Sequence, residues 1–273
     1  MRSVRTVISI LSLAAVAVST AGCFTLGTNN VTEDRLDRGL IIYVEDSSDA
    51  RNRGWKSFEQ GLSNRGVSLA VDNFDWSPQI RQIPGVGIPD RGDSGEAARD
   101  LARSIRHYGL VYPGRPLHVV AHGVGCHLAL NALEHLDPRF GIDRLVLLSP
   151  NVDYYRNLST PLTKVRDRCV AYYSWGDILH GAVGGFVFGT HDTARARAHA
   201  ATLGFRVPED ADMEEYEKLH AYGWRPGVVW RGHFGLHNMG PTSPMFVRKF
   251  IVPFLLDGTL IDASDDDFGP VPD

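Results

Sequence analysis

The sequence predicts an α/β protein: a mostly parallel, twisted β-sheet with helices on both of its faces. Three observations predict it. Short runs of aliphatic residues recur along the chain and are continuous rather than alternating, as strands buried on both faces require. Between them lie segments whose apolar residues repeat at helical spacing. The two kinds of segment alternate, which is the pattern of βαβ units. The 273 residues, 43% hydrophobic and 22% charged, have globular composition and suffice for one sizeable core.

The elements follow in order. Leu40-Ile41-Ile42-Tyr43-Val44 is the first buried strand. Trp55, Phe58 and Leu62 form the stripe of an amphipathic helix ending near Gly66, and Val67–Val71 is the second strand, leading into Phe74-Asp75-Trp76. Ser77–Arg91 is rich in Pro and Gly and reads as loop. Asp93-Ser94-Gly95-Glu96 has capping-box spacing, and Ala97, Leu101 and Ile105 carry a helix to Gly109. Pro116–Ala121 is the third strand. Leu128, Ala129, Ala132, Leu133 and Leu136 line the next helix, which stops at Asp137-Pro138. Leu145–Leu148 and Val170–Tyr173 are further strands, and Val228-Val229-Trp230 reads as the last. Helices are expected at Ala194–Leu203, Asp212–Tyr222 and Met245–Leu256. There is no internal repeat. The domain so defined spans 39–257, and the tail 258–273, with Asp262, Asp265, Asp266 and Asp267 among Gly and Pro, reads as disordered.

Residues 1–22 have a different character. Arg2 and Arg5 precede an apolar run from Val7 to Val18, then Ser19-Thr20-Ala21-Gly22 and Cys23. A basic start, a short apolar stretch and small residues describe an export signal, too short for a transmembrane helix. Ala21-Gly22-Cys23 resembles the lipobox of bacterial lipoproteins, although Thr20 stands where that family usually has Leu. The resemblance implies acylation of Cys23, cleavage before it, and a linker over 23–38. It also implies a membrane-anchored, periplasm-facing protein, and Phe24 in place of Asp favours the outer membrane. A plain signal peptide cut near Ala21 is the alternative.

Cleavage would remove Arg2 and Arg5, making the formal charge of −4 more negative. An acidic chain argues against nucleic acid as a partner. Of three cysteines, only Cys126 and Cys169 would remain as thiols. They are placed near opposite ends of their strands, too far apart for a disulfide, and are expected to be buried and free.

The chemistry is expected at a strand-to-helix turn, because parallel sheets present ligands at the carboxyl ends of their strands. The turn Val119-Val120-Ala121-His122-Gly123-Val124-Gly125-Cys126-His127 runs from an apolar strand into a helix, with small residues at 121, 123 and 125. It resembles the nucleophile elbow of the α/β-hydrolases, G-x-S-x-G, with Ala121 and Gly125 at the outer positions. At the centre, where that family carries its nucleophilic Ser, stands Gly123. Glycine tolerates the strained conformation of that position, so the elbow's shape should survive without the attacking oxygen.

The resemblance implies the remaining roles. Asp177 follows a strand where the family places its acid, and His233 lies where it places the base, with His237 as runner-up. Val124 would give one oxyanion-hole amide and the loop after the first strand another. That loop reads Glu45-Asp46-Ser47-Ser48-Asp49, acidic and without glycine, which weakens an esterase reading. Phe74-Asp75-Trp76, Leu147-Leu148-Ser149-Pro150 and Gly189-Thr190-His191-Asp192 suggest more distant similarity to secreted α/β-hydrolases.

Three substitute nucleophiles stay open: the Cys126 thiol, the Ser47 or Ser48 hydroxyl, and a water activated by His233. His180, His191, Asp192 and Asp177 are close in sequence, but no H-x-x-x-H or H-E-x-x-H spacing joins them, so no metal or other cofactor is expected. Two functions remain in view. One is a membrane-anchored, catalytically impaired member that binds a small-molecule or acyl ligand. The other is an active hydrolase of an ester, thioester or amide.

Overall fold

The computed structural model describes residues 30–46, 53–74, 76, 94–174, 199–224, 226–234 and 240–261. Its centre is a six-stranded sheet of order β2-β1-β3-β4-β5-β6. The strands are β1 (Leu40–Val44), β2 (Ala70–Phe74), β3 (Leu117–His122), β4 (Ile142–Leu148), β5 (Val165–Tyr173) and β6 (Leu219–Gly223). Every neighbouring pair is parallel. Direction of winding reverses between β1 and β3, and it is outside the carboxyl ends of strands at such a reversal that open α/β sheets bind ligands.

The main helices are α1 (Arg53–Ser63), α2 (Ser94–Val111), α3 (Val124–Glu134) and α4 (Val252–Asp257). Strand periodicity sorts the core into two layers. Leu40, Ile42 and Val44 of β1 pack with Val119 and Ala121 of β3, Leu101 of α2 and Leu128 of α3. Ile41 and Tyr43 point the other way, toward Trp55 and Phe58 of α1 and Phe246, Phe250 and Phe254 of the C-terminal helical run. The predicted class, a parallel α/β sheet with helices on both faces, is therefore found. Ahead of α4 the run passes from Pro244–Phe246 into π-type bonding over Val247–Ile251. Pro253 accounts for this in part, since it has no amide to continue the α-helical ladder.

Several boundaries differ from those expected. The second strand is Ala70–Phe74 rather than Val67–Val71; Val67 and Leu69 are buried in the approach to it. The strands around Leu145–Leu148 and Val170–Tyr173 start earlier, at Ile142 and Val165. The last strand is not Val228–Trp230. Those residues lie in the 3₁₀ helix Pro226–Arg231, where Pro226 lacks the amide that a central strand needs. Nor does a helix fill Asp212–Tyr222: only Met213–Tyr216 is helical, capped by the Asp212 side chain, and β6 follows at Leu219. β6 is the sheet edge and no residue of it is fully buried, so it lacks the aliphatic run that marks its neighbours. Of Ala194–Leu203, the described part, Ala200–Leu203, is helical.

A second polar cluster closes the opposite end of the sheet. Arg144 on β4 donates to Asp167 on β5 at 2.7 Å and to the Leu255 carbonyl at 2.8 Å, satisfying an open carbonyl at the end of α4. Its guanidinium also lies over Phe254. Burial works against ionisation of Asp167, but Arg144 and Arg168 outweigh it and hold that carboxyl below its usual range.

Candidate functional site

The elbow is built from backbone constraints. β3 ends at His122 and α3 begins at Val124, leaving Gly123 alone to turn the chain, at φ 56° and ψ −119°. A side chain pays for that conformation with strain, and glycine does not. The segment after β4 clamps this residue from both sides: the Gly123 amide donates to the Leu148 carbonyl at 2.9 Å, and the Asn151 amide donates to the Gly123 carbonyl at 3.0 Å. Gly125 lets the helix approach β1, since a Cβ there would stand 2.5 Å from the Val44 carbonyl oxygen and 2.7 Å from that of Glu45. Val124 is the first residue of α3, so its amide belongs to the helix end where amides lack intrahelical acceptors. That end attracts an anion or a carbonyl oxygen.

Glu45 and Asp46, just past β1, are both buried. The Glu45 carboxylate faces α1, accepting from the Trp55 amide at 3.1 Å, and so caps the positive end of that helix. The Glu45 carbonyl accepts from the Trp76 indole at 2.9 Å. A Cβ on Gly54 would stand 2.8 Å from Glu45 Oε1, 2.9 Å from the Tyr43 hydroxyl oxygen and 3.4 Å from His122 Nδ1, so these three groups converge on the start of α1. The carboxylate is thus committed to α1, and backbone closes on the elbow beside Gly125.

His233 is buried, its ring edge-on to Phe246 with centroids 5.0 Å apart, and its carbonyl accepts from the Trp224 indole at 2.8 Å. Gly240 packs directly on the imidazole, where a Cβ would collide with Nδ1. Burial is the main reason its pKa falls to about 3, with the nearby His122 adding to the effect. His233 is therefore neutral at pH 7 and reluctant to take a proton. It lies ten residues beyond Gly223, the end of β6, not directly after a strand. Asp177, His237 and Cys23 lie outside the described residues, as do Ser47, Ser48, His180, His191 and Asp192. Among the described residues, no group of three or more His, Cys, Asp or Glu could hold a metal ion.

Cys126 points into the core. Its thiol donates to the Ala121 carbonyl at 3.2 Å, and burial raises its pKa well above that of a free thiol. Cys169 is likewise buried, free and shifted upward. Neither is a thiolate at neutral pH.

One residue to which the sequence assigns no role stands out. Ser149, directly after β4, is fully buried and has φ 45°, the one positive φ of a non-glycine residue among those described. Its amide donates to the Tyr172 carbonyl at 2.9 Å, but its Oγ has no hydrogen-bond partner, and nor has Asn151 Oδ1. Both residues lie in the segment whose backbone clamps Gly123. The signal in the sequence was Ser149-Pro150 ending an aliphatic strand next to the elbow strand, which marks a turn but not strain.

Together the parallel sheet, the reversal between β1 and β3, and the strand–Gly123–helix turn define an α/β-hydrolase-like fold. Solved structures similar to the chain include the esterase domain of a Rhodothermus marinus protein, at 11% identity and TM-score 0.40, covering 80% of this chain and 85% of that one. A Bacillus subtilis carboxylesterase is similar at 12% identity and TM-score 0.35, covering 84% and 86%. Aspergillus fumigatus lipase B is similar at 12% identity and TM-score 0.32 over 56% of this chain, which spans only 39% of that lipase. No family model and no curated protein matches the chain.

Proposed function

We propose that this is an exported, lipid-anchored protein of α/β-hydrolase type that binds an acyl or other carbonyl-bearing ligand and is impaired in catalysis. In this reading residues 1–22 are the signal, Cys23 carries the lipid, 39–257 form the domain and 258–273 an acidic tail. The observation that carries it is Gly123: the elbow keeps its strained backbone and its helix N-terminus but offers no hydroxyl. The Val124 amide is left to receive the ligand oxygen. His233 supports impairment, because a base with pKa near 3 draws a proton from a hydroxyl or water poorly at neutral pH. Asp177 would be the acid, and His237 the base if His233 is not.

A second reading, an active hydrolase, is favoured by one observation: the buried, unpartnered and strained Ser149 hydroxyl beside the elbow. Hydrolysis of short p-nitrophenyl esters separates the two, with displacement of a fluorescent fatty acid as the binding assay. The first reading expects fatty-acid binding and no turnover by the wild type; turnover gained in Gly123→Ser means that the hydroxyl alone is missing, and none means that the base is lost as well. Wild-type turnover that vanishes in His233→Ala overturns it, and loss in Ser149→Gly as well would assign the nucleophile to Ser149. Loss of palmitate labelling in Cys23→Ser tests the anchor.

A further inference from the structure

A cavity lies away from the elbow, where the start of the described chain packs beside α1 and the outer strand β2. It encloses about 470 Å³ including its open mouth, a size that suits a small ligand. Asn30, Arg35, Glu59 and Ser63 supply polar lining, and Leu62 and Val71 apolar lining. Helical spacing puts Glu59, Leu62 and Ser63 on one side of α1. Asn30 is fixed against β2, since its carbonyl accepts from the Val71 amide at 3.3 Å.

Two opposite charges line this cavity without meeting. The Asn30 side chain joins them: its Oδ1 accepts from Arg35 Nη1 at 3.4 Å, and its Nδ2 donates to Glu59 Oε1. Arg35 Nη2 donates to the Val67 carbonyl at 2.8 Å, which fixes the guanidinium. Among the described residues neither Arg35 nor Glu59 enters an ion pair, and the guanidinium keeps further N–H donors, as Glu59 keeps its second oxygen. Ser63 Oγ donates to the Glu59 carbonyl at 3.0 Å, which leaves its lone pairs able to accept. The cavity thus offers cationic donors from one residue and an anionic acceptor from another.

We propose that this cavity binds a zwitterion in which an anionic oxygen group lies a short span from an ammonium, as in phosphoethanolamine. The anionic group takes the remaining donors of Arg35, whose planar fork suits phosphate oxygens, and the ammonium donates to Glu59 and Ser63. A singly charged ligand would satisfy one of the two charges and leave the other to lose water without return. Such a zwitterion reaches the cavity as a free solute or as a lipid headgroup. The second source is close at hand: Cys23 precedes Asn30 by seven residues, and a fully extended tether of that length reaches about 25 Å. Only this second source rests on the lipid-anchored reading.

The test titrates the full chain with O-phosphoethanolamine, and with ethanolamine and inorganic phosphate as single-charge probes. Binding is followed by ¹H–¹⁵N NMR at the Gly66, Val67 and Val71 amides, which border the cavity. The zwitterion should shift these amides saturably, and each single-charge probe should bind roughly tenfold more weakly or worse. Glu59→Gln should weaken the zwitterion roughly tenfold and leave phosphate as tight as before or tighter, whereas Arg35→Gln should weaken both. An unchanged melting temperature verifies folding, and if Arg35→Gln does not fold, Glu59→Gln decides alone. Absence of saturable shifts, or zwitterion affinity untouched by Glu59→Gln, overturns the proposal. Phosphate binding as tightly as the zwitterion also overturns it, in favour of a plain anion site. The acylated chain on vesicles separates the sources. Headgroups that fill the cavity make free radiolabelled probe bind more weakly on phosphatidylethanolamine than on phosphatidylglycerol vesicles, whereas equal affinity on both assigns the site to a free zwitterion. A chain that takes no palmitate overturns the anchored reading and leaves the free-solute result standing.

Discussion

Gly125 lies so close to Val44 that a Cβ on the glycine would stand 2.5 Å from the Val44 carbonyl oxygen. Real Cβ atoms do not approach backbone oxygen that closely, so Gly125→Ala must push α3 off β1. Because the contact joins two backbones, no side chain can swing away to relieve it. The expected loss is roughly 3 kcal/mol or more, read from the urea midpoint. Gly95→Ala is the matched control: it lies in the first turn of α2 with nothing nearer than 3.9 Å, and alanine is the better helix former. It should be neutral or gain up to about 1 kcal/mol.

Ser149 tests whether the strain beside the elbow serves a purpose. A non-glycine residue with φ 45° carries a cost of about 1–2 kcal/mol, and its buried Oγ has no partner. Ser149→Gly removes both burdens and adds only unfolded-state entropy. It is expected to raise stability by roughly 1 kcal/mol in urea titration. A loss of similar size would mean that the hydroxyl is engaged in holding the clamp around Gly123.

What could be read in advance follows from burial. β1 and β3 lie within the sheet and are buried along their length, so aliphatic residues fill both faces and announce them. β6 sits at the edge with Leu219, His220 and Tyr222 half-buried, and its mixed sequence resembled a helix more than a strand. Val228-Val229 had β-branched residues of the right kind, but Pro226 and Gly227 before them favour a tight 3₁₀ turn. At the site, Ala121, Gly123 and Gly125 were legible because close backbone approach permits so few residue types. The acidic Glu45-Asp46 loop counts in the sequence against an oxyanion hole, yet the Glu45 carboxylate caps α1. That partnership joins Glu45 to Trp55 across a loop, and no local pattern encodes it.

Two buried histidines set a pH dependence. Burial, reinforced by Arg144, lowers the pKa of His118 to about 4, and burial with His122 lowers that of His233 to about 3. Both are depressed relative to an unfolded value of about 6.5. Above that pH the imidazoles are neutral in both states, and their contribution to stability is fully present. As pH falls through 6.5 toward the folded values, the unfolded chain binds protons that the folded chain refuses, and stability drops. For His118 the loss by pH 4 is on the order of 3 kcal/mol. Urea midpoints at pH 7.5 and pH 5 should therefore differ, and His118→Leu should flatten the slope. An equal slope in that variant would place the acid sensitivity elsewhere.

Arg144 links this titration to the packing of α4. It bridges Asp167 and the Leu255 carbonyl, with its side chain only 16% exposed. Arg144→Met keeps the aliphatic stem over Phe254 but strips a hydrogen bond from each partner, and at pH 7.5 the expected cost is roughly 2–3 kcal/mol. The same substitution removes a cation that disfavours protonation of His118. The His118 pKa should then rise, so less stability is lost between pH 7.5 and pH 5 than in the wild type. A smaller acid-induced loss in a less stable protein is the distinguishing result, measured by urea titration at both pH values. If Arg144→Met lowers stability equally at both and leaves the pH slope unchanged, Arg144 acts only as the clasp of α4 and exerts no control over His118.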